Sequence, residues 1–135
     1  MKKIIIDSNI VFSAMRGNNS LTRNKILHSQ EKYYAPNFLI GEIFKHKERI
    51  LSKSRASEEE TLEYLLKILG KINFISEDNI STGNFIAAYR LCKDVDENDT
   101  IFIALSLELG YDIWTRDEKL KSGLIKRGFD NFHEE

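Results

Sequence analysis

The stretch Lys2-Lys3-Ile4-Ile5-Ile6-Asp7-Ser8-Asn9 decides the fold of this chain. Three consecutive β-branched residues between polar neighbours predict a short strand at residues 4–6 that is buried on both faces. Strands of this kind belong to parallel sheets, in which ligands bind beyond the carboxyl ends of the strands. Asp7 follows the strand directly, so we expect its carboxylate at the edge of the sheet where chemistry takes place.

Extended and helical patterns alternate along the rest of the chain. Apolar runs predict further strands at residues 32–36, 72–75 and 113–115, with a candidate edge strand at residues 128–132. Helical patterns occupy the segments between them, with a turn at residues 17–19 and with Ser20, Asn37 and Ser57 as helix caps. This alternation predicts an α/β fold with a mostly parallel sheet of four to five strands, covered on both faces. The two helices between Asn37 and Gly70 form an unusually long crossover, which we interpret as a helical arm.

Composition indicates one soluble globular unit. The 135 residues are 41% hydrophobic and 30% charged, which predicts a single domain over residues 1–135 and argues against disorder. The net charge of −1 gives no general attraction to nucleic acid, although it leaves room for a local basic face. A single cysteine, Cys92, excludes an intrachain disulfide and is expected to be a buried thiol. No segment approaches the roughly 20 apolar residues of a membrane span, so we expect a cytoplasmic protein without a membrane partner.

Five acidic residues fall at positions that the predicted topology brings to one edge of the sheet. Asp7 and Asp117 each follow a strand, and Glu42 lies early in the helix after the second strand. Asp96 and Asp99 are three residues apart at the start of a helix and can share a face. Because clustered carboxylates repel one another, the pattern predicts a hard divalent cation such as Mg²⁺ or Mn²⁺, which prefers oxygen ligands.

Each of these residues also has a purely structural interpretation. Asp7 and Asp117 could simply cap the helices that follow them, and Glu42 could be a solvated helix residue. Asp96 and Asp99 could belong to a solvated acidic loop, and we expect one of the two to be a cap in either case. A basic run follows Glu42 and is either solvated surface or an RNA-contacting stripe; its members are Lys45, Lys47, Arg49, Lys53 and Arg55.

Four segments, in chain order, resemble the motifs of PIN-domain proteins. They are Ile4-Ile5-Ile6-Asp7-Ser8-Asn9, Glu42 in an apolar helix, Asp99-Thr100-Ile101-Phe102-Ile103-Ala104-Leu105, and Trp114-Thr115-Arg116-Asp117. The resemblance covers nearly the whole chain; the first, third and fourth motifs are specific when taken together, whereas the Glu42 motif is weak alone. The family fold is a three-layer α/β/α sandwich with a parallel sheet, which agrees with the elements predicted above.

The resemblance implies an endoribonuclease that cleaves single-stranded or structured RNA and depends on Mg²⁺ or Mn²⁺. Many small bacterial members are toxins of toxin–antitoxin pairs, so a cognate antitoxin protein is an implied partner. By motif position, the catalytic acidic residues are Asp7, Glu42, Asp99 and Asp117. Asp96 matches an extra acidic position of some members and joins Asp7, Asp99 and Asp117 as a candidate metal ligand. Ser8 and Thr115 match hydroxyl positions that support the acidic cluster.

Chemistry assigns roles within this set and leaves alternatives open. We expect Asp7 and Asp99 to hold the ion, and Glu42 or Asp117 to accept a proton from the attacking water. One alternative is a non-catalytic metal- or RNA-binding module. Another is a haloacid-dehalogenase-type phosphatase, which requires a second Asp where this chain has Asn9. The arm carries Leu62, Leu65, Leu66 and Leu69, from which we predict a homodimer unless these leucines simply pack on the sheet.

Overall fold

The protein consists of a parallel sheet with helices between successive strands. The structure is a computed structural model that describes residues 1–16 and 20–135. Its elements are β1 (Lys3–Ile6), α1 (Ser8–Met15), α2 (Ser20–His28), β2 (Lys32–Pro36), α3 (Phe38–Lys53), α4 (Glu58–Leu69), β3 (Ile72–Ile75), α5 (Thr82–Cys92), α6 (Thr100–Leu109), β4 (Asp112–Trp114) and α7 (Glu118–Ile125). The turn predicted at residues 17–19 and the capping role predicted for the Ser20 side chain lie outside the described parts.

The sheet has four strands, all parallel, in the order β3-β2-β1-β4. Ile4, Ile5 and Ile6 of β1 are each at most 1% exposed. Because successive side chains of a strand point to opposite faces, helices must cover both faces of β1. The predicted parallel sheet and its doubly buried first strand are therefore confirmed.

The direction of the chain through the sheet places the helices in two layers. The chain moves from β1 to β2 to β3 in one direction and then crosses back to β4, on the other side of β1. Right-handed crossovers put α1 to α4 on one face of the sheet and α5 and α6 on the other. The contacts agree, because α1 packs on α3 and α4 whereas α5 packs on α6. The carboxyl ends of β1 and β4 thus form the switch point at which open α/β sheets bind ligands.

Of the two predicted caps that the structure describes, Ser57 is confirmed and Asn37 is not. The Ser57 hydroxyl accepts a hydrogen bond from the Glu60 N–H at 3.1 Å, as expected of a cap. Gly110 ends α6 with φ of 75°, a left-handed conformation that glycine adopts without a steric cost. The capping role predicted for Asn37 is wrong, since its side chain makes no capping hydrogen bond within the described chain. Instead, Glu77 Oε2 accepts from the Phe38 N–H at 2.7 Å.

The predicted edge strand at residues 128–132 is also wrong. One isolated bridge joins Phe132 to Ile113 of β4. Phe129 and Phe132 are both buried, and their ring centroids lie 5.5 Å apart. In a strand, residues three apart point to opposite faces, so this contact requires a curled backbone. The burial of two aromatic rings therefore prevents the segment from extending into a fifth strand.

The predicted helical arm, α3 and α4, folds back on the body of the protein. α4 packs on α1 and α2 and buries Leu65 in the core. Leu62 and Leu66 remain on its outer side, with exposed fractions of 38% and 73%.

None of the helices in the described residues is both long and apolar enough to cross a bilayer. Cys92 is buried as predicted, and burial together with the charge of Asp99 raises the pKa of its thiol to about 11.

Candidate functional site

One cleft contains all five acidic residues that the sequence singles out. It lies at the carboxyl ends of β1 and β4 and has a volume of about 410 Å³. Its lining includes Asp7, Glu42, Asp96, Asp99 and Asp117. Ser8 lines it as well, from the first turn of α1. Residues that are up to 110 positions apart in the chain therefore share one acidic surface, as the predicted topology required.

Asp7 caps a helix and lines the cleft at the same time. It is 5% exposed, and its Oδ1 accepts a hydrogen bond from the Ile10 N–H at 2.9 Å at the start of α1. Burial raises the pKa of Asp7, whereas hydrogen bonds from the Thr115 hydroxyl and the Ile10 N–H counteract part of that effect. The capping and the functional interpretations of this residue are thus compatible.

Asp117 repeats this arrangement at the end of β4. Its Oδ1 accepts from the Leu120 N–H at 3.0 Å and caps α7, while its own N–H donates to Thr115 Oγ1 at 3.2 Å. The Thr115 hydroxyl therefore connects the two strand ends, since it also donates to Asp7. A carboxylate offers about four lone-pair positions, so one or two hydrogen bonds leave Asp7 and Asp117 able to accept a cation.

Asp96 and Asp99 lie in the short loop between α5 and α6. The N–H groups of Val95 and Asp96 donate to the Cys92 carbonyl at 2.9 and 2.8 Å. Asp96 Oδ1 accepts from the Asn98 N–H at 3.0 Å, so Asp96 is the cap expected from this pair. Asp99 precedes α6, and its side chain makes no capping hydrogen bond within the described residues.

Three of the carboxylates converge. Oxygen atoms of Asp96, Asp99 and Asp117 lie within 4.8 Å of one another. Burial, followed by the like charges of Asp96, Asp7 and Asp117, raises the pKa of Asp99 to about 7. These three side chains would be the residues to hold a hard divalent cation, which takes oxygen ligands. The donor set, which is oxygen only and strongly anionic, fits Mg²⁺ or Mn²⁺.

Helix α3 forms the opposite wall of the cleft. Glu42 is half-buried there, and its Oε2 lies 3.5 Å from His46 Nε2, one helical turn away. The His46 ring packs edge-on against Phe12, with centroids 5.7 Å apart. Lys45 and Arg49 also line the cleft. No role was predicted for His46, although its i+4 spacing from Glu42 is the sequence signal that places both on one helical face.

Comparison with known proteins identifies the family. A sequence model described as a PIN domain matches residues 5–135. The chain belongs to the PIN-domain family. Among solved structures, it is similar to VapBC2 from Rickettsia felis bound to a DNA fragment from their promoter, with 16% identity, a TM-score of 0.65, and coverage of 98% of this chain and 97% of that chain. It is also similar to PAE2754 from Pyrobaculum aerophilum, with 12% identity, a TM-score of 0.63, and coverage of 90% and 79%. No curated protein matches the chain.

These findings confirm the family and the α/β fold predicted from the sequence. At identities of 16% and 12% the structural similarity concerns the fold alone. Proteins with a PIN domain are generally nucleases, so family membership supports a nuclease-type hydrolase role for this chain. It leaves the haloacid-dehalogenase alternative without support.

Proposed function

We propose that this PIN-domain protein is a metal-dependent endoribonuclease in which residues 1–135 act as one domain. The observation that carries the proposal is the convergence of Asp96, Asp99 and Asp117 within 4.8 Å, in a cleft that Asp7 and Glu42 also line. Burial, and after it the like charge of the neighbouring carboxylates, raises the pKa of Asp99, so the charged cluster is costly without a counter-ion. A divalent cation removes that repulsion and provides a reason for the arrangement.

In this proposal Asp96, Asp99 and Asp117 bind Mg²⁺ or Mn²⁺ together with Asp7. Asp7 was predicted to share the ion with Asp99, and its charge contributes to the raised pKa of Asp99, which supports their proximity. When bound, the ion would neutralise charge on the phosphate and lower the pKa of an attacking water. The carboxylates therefore serve as ligands, and the chain must supply a separate group to take the proton.

Glu42 is the group that we propose as proton acceptor, with Asp117 as the alternative. Glu42 faces the other carboxylates from α3 and is not part of the converging triad. His46 Nε2 lies 3.5 Å from its carboxylate, one helical turn away. Thr115 has a supporting role, because its hydroxyl hydrogen-bonds both to Asp7 and to the backbone of Asp117. Ser8 supports the cluster from the first turn of α1, whose dipole favours negative charge.

Cleavage of a labelled RNA pool in Mn²⁺ or in EDTA tests this function. We expect the wild type to cleave in Mn²⁺ only, and Asp7→Asn and Asp99→Asn to lose at least about 10³-fold of the activity, since each removes a ligand charge. Asparagine caps a helix about as well as aspartate, so thermal melts in EDTA should show folded variants. Calorimetry with Mn²⁺ should show weaker binding to both.

Two results would contradict the assignment in different ways. A folded Asp99→Asn variant that cuts RNA at the wild-type rate would show that the acidic cluster is not the catalytic site. A wild type that binds Mn²⁺ or RNA but never cleaves would instead support the non-catalytic metal- or RNA-binding module.

We further propose a cognate antitoxin and a second copy of the chain as partners. The family resemblance implies the antitoxin. The similarity in fold to VapBC2, whose structure was solved bound to a promoter DNA fragment, supports it. The homodimer is supported by apolar side chains on the outer side of the arm, where Phe44, Leu62 and Leu66 are 63%, 38% and 73% exposed. Light scattering at micromolar concentration checks the dimer, and a monomer mass would remove it.

A further inference from the structure

One face of α3 follows the cleft from end to end. Its lining residues on this helix are Phe38, Gly41, Glu42, Lys45, His46 and Arg49. Their spacing of three or four residues makes them a continuous stripe on the helix surface. Within the described chain, the other members of the basic run, Lys47, Lys53 and Arg55, do not line the cleft. Packing thus places Lys45 and Arg49 beside the cleft and the rest of the run outside it.

Lys45 and Arg49 are available to bind an anion. Both side chains are exposed, and neither lies within ion-pair distance of a carboxylate in the parts of the chain that the structure describes. Lys47, by contrast, lies 3.8 Å from a Glu48 carboxylate oxygen. Because Lys45 and Arg49 form no ion pair with the nearby carboxylates of the described residues, their charges can interact with an anionic ligand. The cleft therefore has an anionic floor and a cationic rim.

The stripe has an order that suits a nucleic acid strand. At a rise of about 1.5 Å per residue, Lys45 and Arg49 lie about 4.5 and 10 Å along α3 from Glu42. Phe38 lies about 6 Å from Glu42 in the other direction. Its ring is 39% exposed and packs at a steep angle on Phe102, with centroids 6.4 Å apart. An aromatic side chain and a row of cations beside one groove are the combination that binds single strands through bases and phosphates.

We propose that the cleft face of α3 binds the backbone of a single-stranded nucleic acid beside the bond that is cut. Lys45 and Arg49 contact phosphates on one side of that bond, and a base stacks on Phe38 on the other side. His46 Nε2 lies 3.5 Å from Glu42 Oε2, so we assign it no phosphate contact. The position of the cut bond rests on the proposed ribonuclease function, whereas binding to the stripe does not.

Fluorescence anisotropy of a labelled single-stranded oligouridylate of about 12 nucleotides, in EDTA and over a range of salt, tests the stripe. The Lys45→Gln/Arg49→Gln variant should bind about tenfold more weakly. The plot of log association constant against log salt concentration should become less steep by about 1.4, because two phosphate contacts are lost. Lys47→Gln/Lys53→Gln removes the same charge from the same helix outside the cleft and should bind within about twofold of wild type. Phe38→Leu should weaken binding about fivefold.

A conservative swap keeps the test interpretable. Lys45→Arg/Arg49→Lys retains both charges and should keep the wild-type salt slope. A melt in EDTA of this variant and of Lys45→Gln/Arg49→Gln should match wild type, because both side chains are exposed. Equal losses in the two glutamine variants would overturn the proposal, and so would a duplex RNA that binds as tightly as the single strand. Wild-type protein that binds through the stripe but does not cleave in Mn²⁺ would refute the ribonuclease function alone. If the KM for RNA cleavage is the same in the wild type and in Lys45→Gln/Arg49→Gln, the proposed role of the stripe is refuted and the ribonuclease function is not.

Discussion

The aspartates at the strand ends, Asp7 and Asp117, are held differently from Asp99 on the loop before α6. Asp7 and Asp117 directly follow β1 and β4, and each caps a helix through a hydrogen bond of 2.9 or 3.0 Å. Asp96 also caps its own short turn. Asp99 makes no such bond within the described residues, and its pKa is raised to about 7. Asp7, Asp96 and Asp117 thus contribute to the fold, whereas Asp99 is held against the cost of burial and of like charge.

This difference separates stability from function within one site. A helix cap contributes about 1 kcal/mol to the free energy of unfolding, which offsets part of the cost of burying a carboxylate. Asp99 has no such compensation. Between pH values near 4 and near 7 the folded protein holds a proton on Asp99 that the unfolded chain has lost. The free energy of unfolding of the metal-free protein should therefore fall as pH rises through this range.

The largest expected effect is on the Asp99 side of this comparison. Asp99→Asn removes the repelled charge, so in EDTA it should raise the free energy of unfolding by about 1–3 kcal/mol near pH 8 and change it little near pH 4. Urea unfolding at both pH values measures this. Adding Mn²⁺ should stabilise the wild type, because the folded state alone forms the site, but should stabilise the variant much less.

Asp112→Asn provides the matched control for Asp99→Asn. Asp112 is an exposed carboxylate at the opposite end of β4, so this variant should follow the wild-type pH dependence. A wild-type free energy of unfolding that does not change between pH values near 4 and near 7 in EDTA would show that the loop carboxylate is not held against repulsion.

The next effect concerns the connection between the strand ends. Thr115 is 1% exposed, and its hydroxyl accepts from the Asp117 N–H and donates to Asp7. Thr115→Val keeps the shape but leaves that N–H without its partner, which should lower the free energy of unfolding by about 1–3 kcal/mol. The pKa of Asp7 should rise further, since a hydrogen bond that lowers it is lost, so Mn²⁺ binding should weaken at neutral pH. Thr115→Ser keeps the hydroxyl; equal calorimetric affinities for the two variants would contradict this role.

The acidic half of the site could be predicted from the sequence because local order determines it. An aspartate that follows a buried parallel strand must lie at the carboxyl edge of the sheet, whatever the rest of the chain does. The α3 wall could not be predicted in the same way. A cation at helical spacing gives the same pattern whether it faces water or a cleft, so the sequence left the basic run undivided, whereas in the structure Lys45 lines the cleft and Lys47 does not. His46, by contrast, could have been found from its i+4 spacing to Glu42.

The fold shows the same division between local and distant causes. Apolar runs predicted each of the four strands, because strands covered on both faces have little choice of composition. The errors occurred where a distant residue decided the outcome. Glu77, 39 positions away from Phe38, replaces the local cap expected from Asn37. Phe129 and Phe132 pack on each other, which removes the predicted edge strand.

The smallest expected effect on stability concerns how closely α7 approaches the loop that carries Asp96. A Cβ on Gly123 would lie 2.9 and 3.0 Å from the two γ-carbons of Val95, which directly precedes Asp96. Gly123→Ala gains about 0.5–1 kcal/mol of helix propensity, but the stiff valine has to move. We expect a net change in the free energy of unfolding within about 1 kcal/mol. The calorimetric affinity for Mn²⁺ should fall about threefold to tenfold, because a shift of Val95 also moves Asp96.

Two variants separate displacement from helix propensity. Gly83→Ala on α5 has no atom within 4 Å of the new Cβ, so it should gain propensity and leave Mn²⁺ binding unchanged. Val95→Ala removes both γ-carbons, so in the Gly123→Ala background it should restore the affinity. If Gly123→Ala binds Mn²⁺ as tightly as wild type, the loop yields without moving Asp96. Binding of Mn²⁺ would then not depend on how closely α7 packs on Val95.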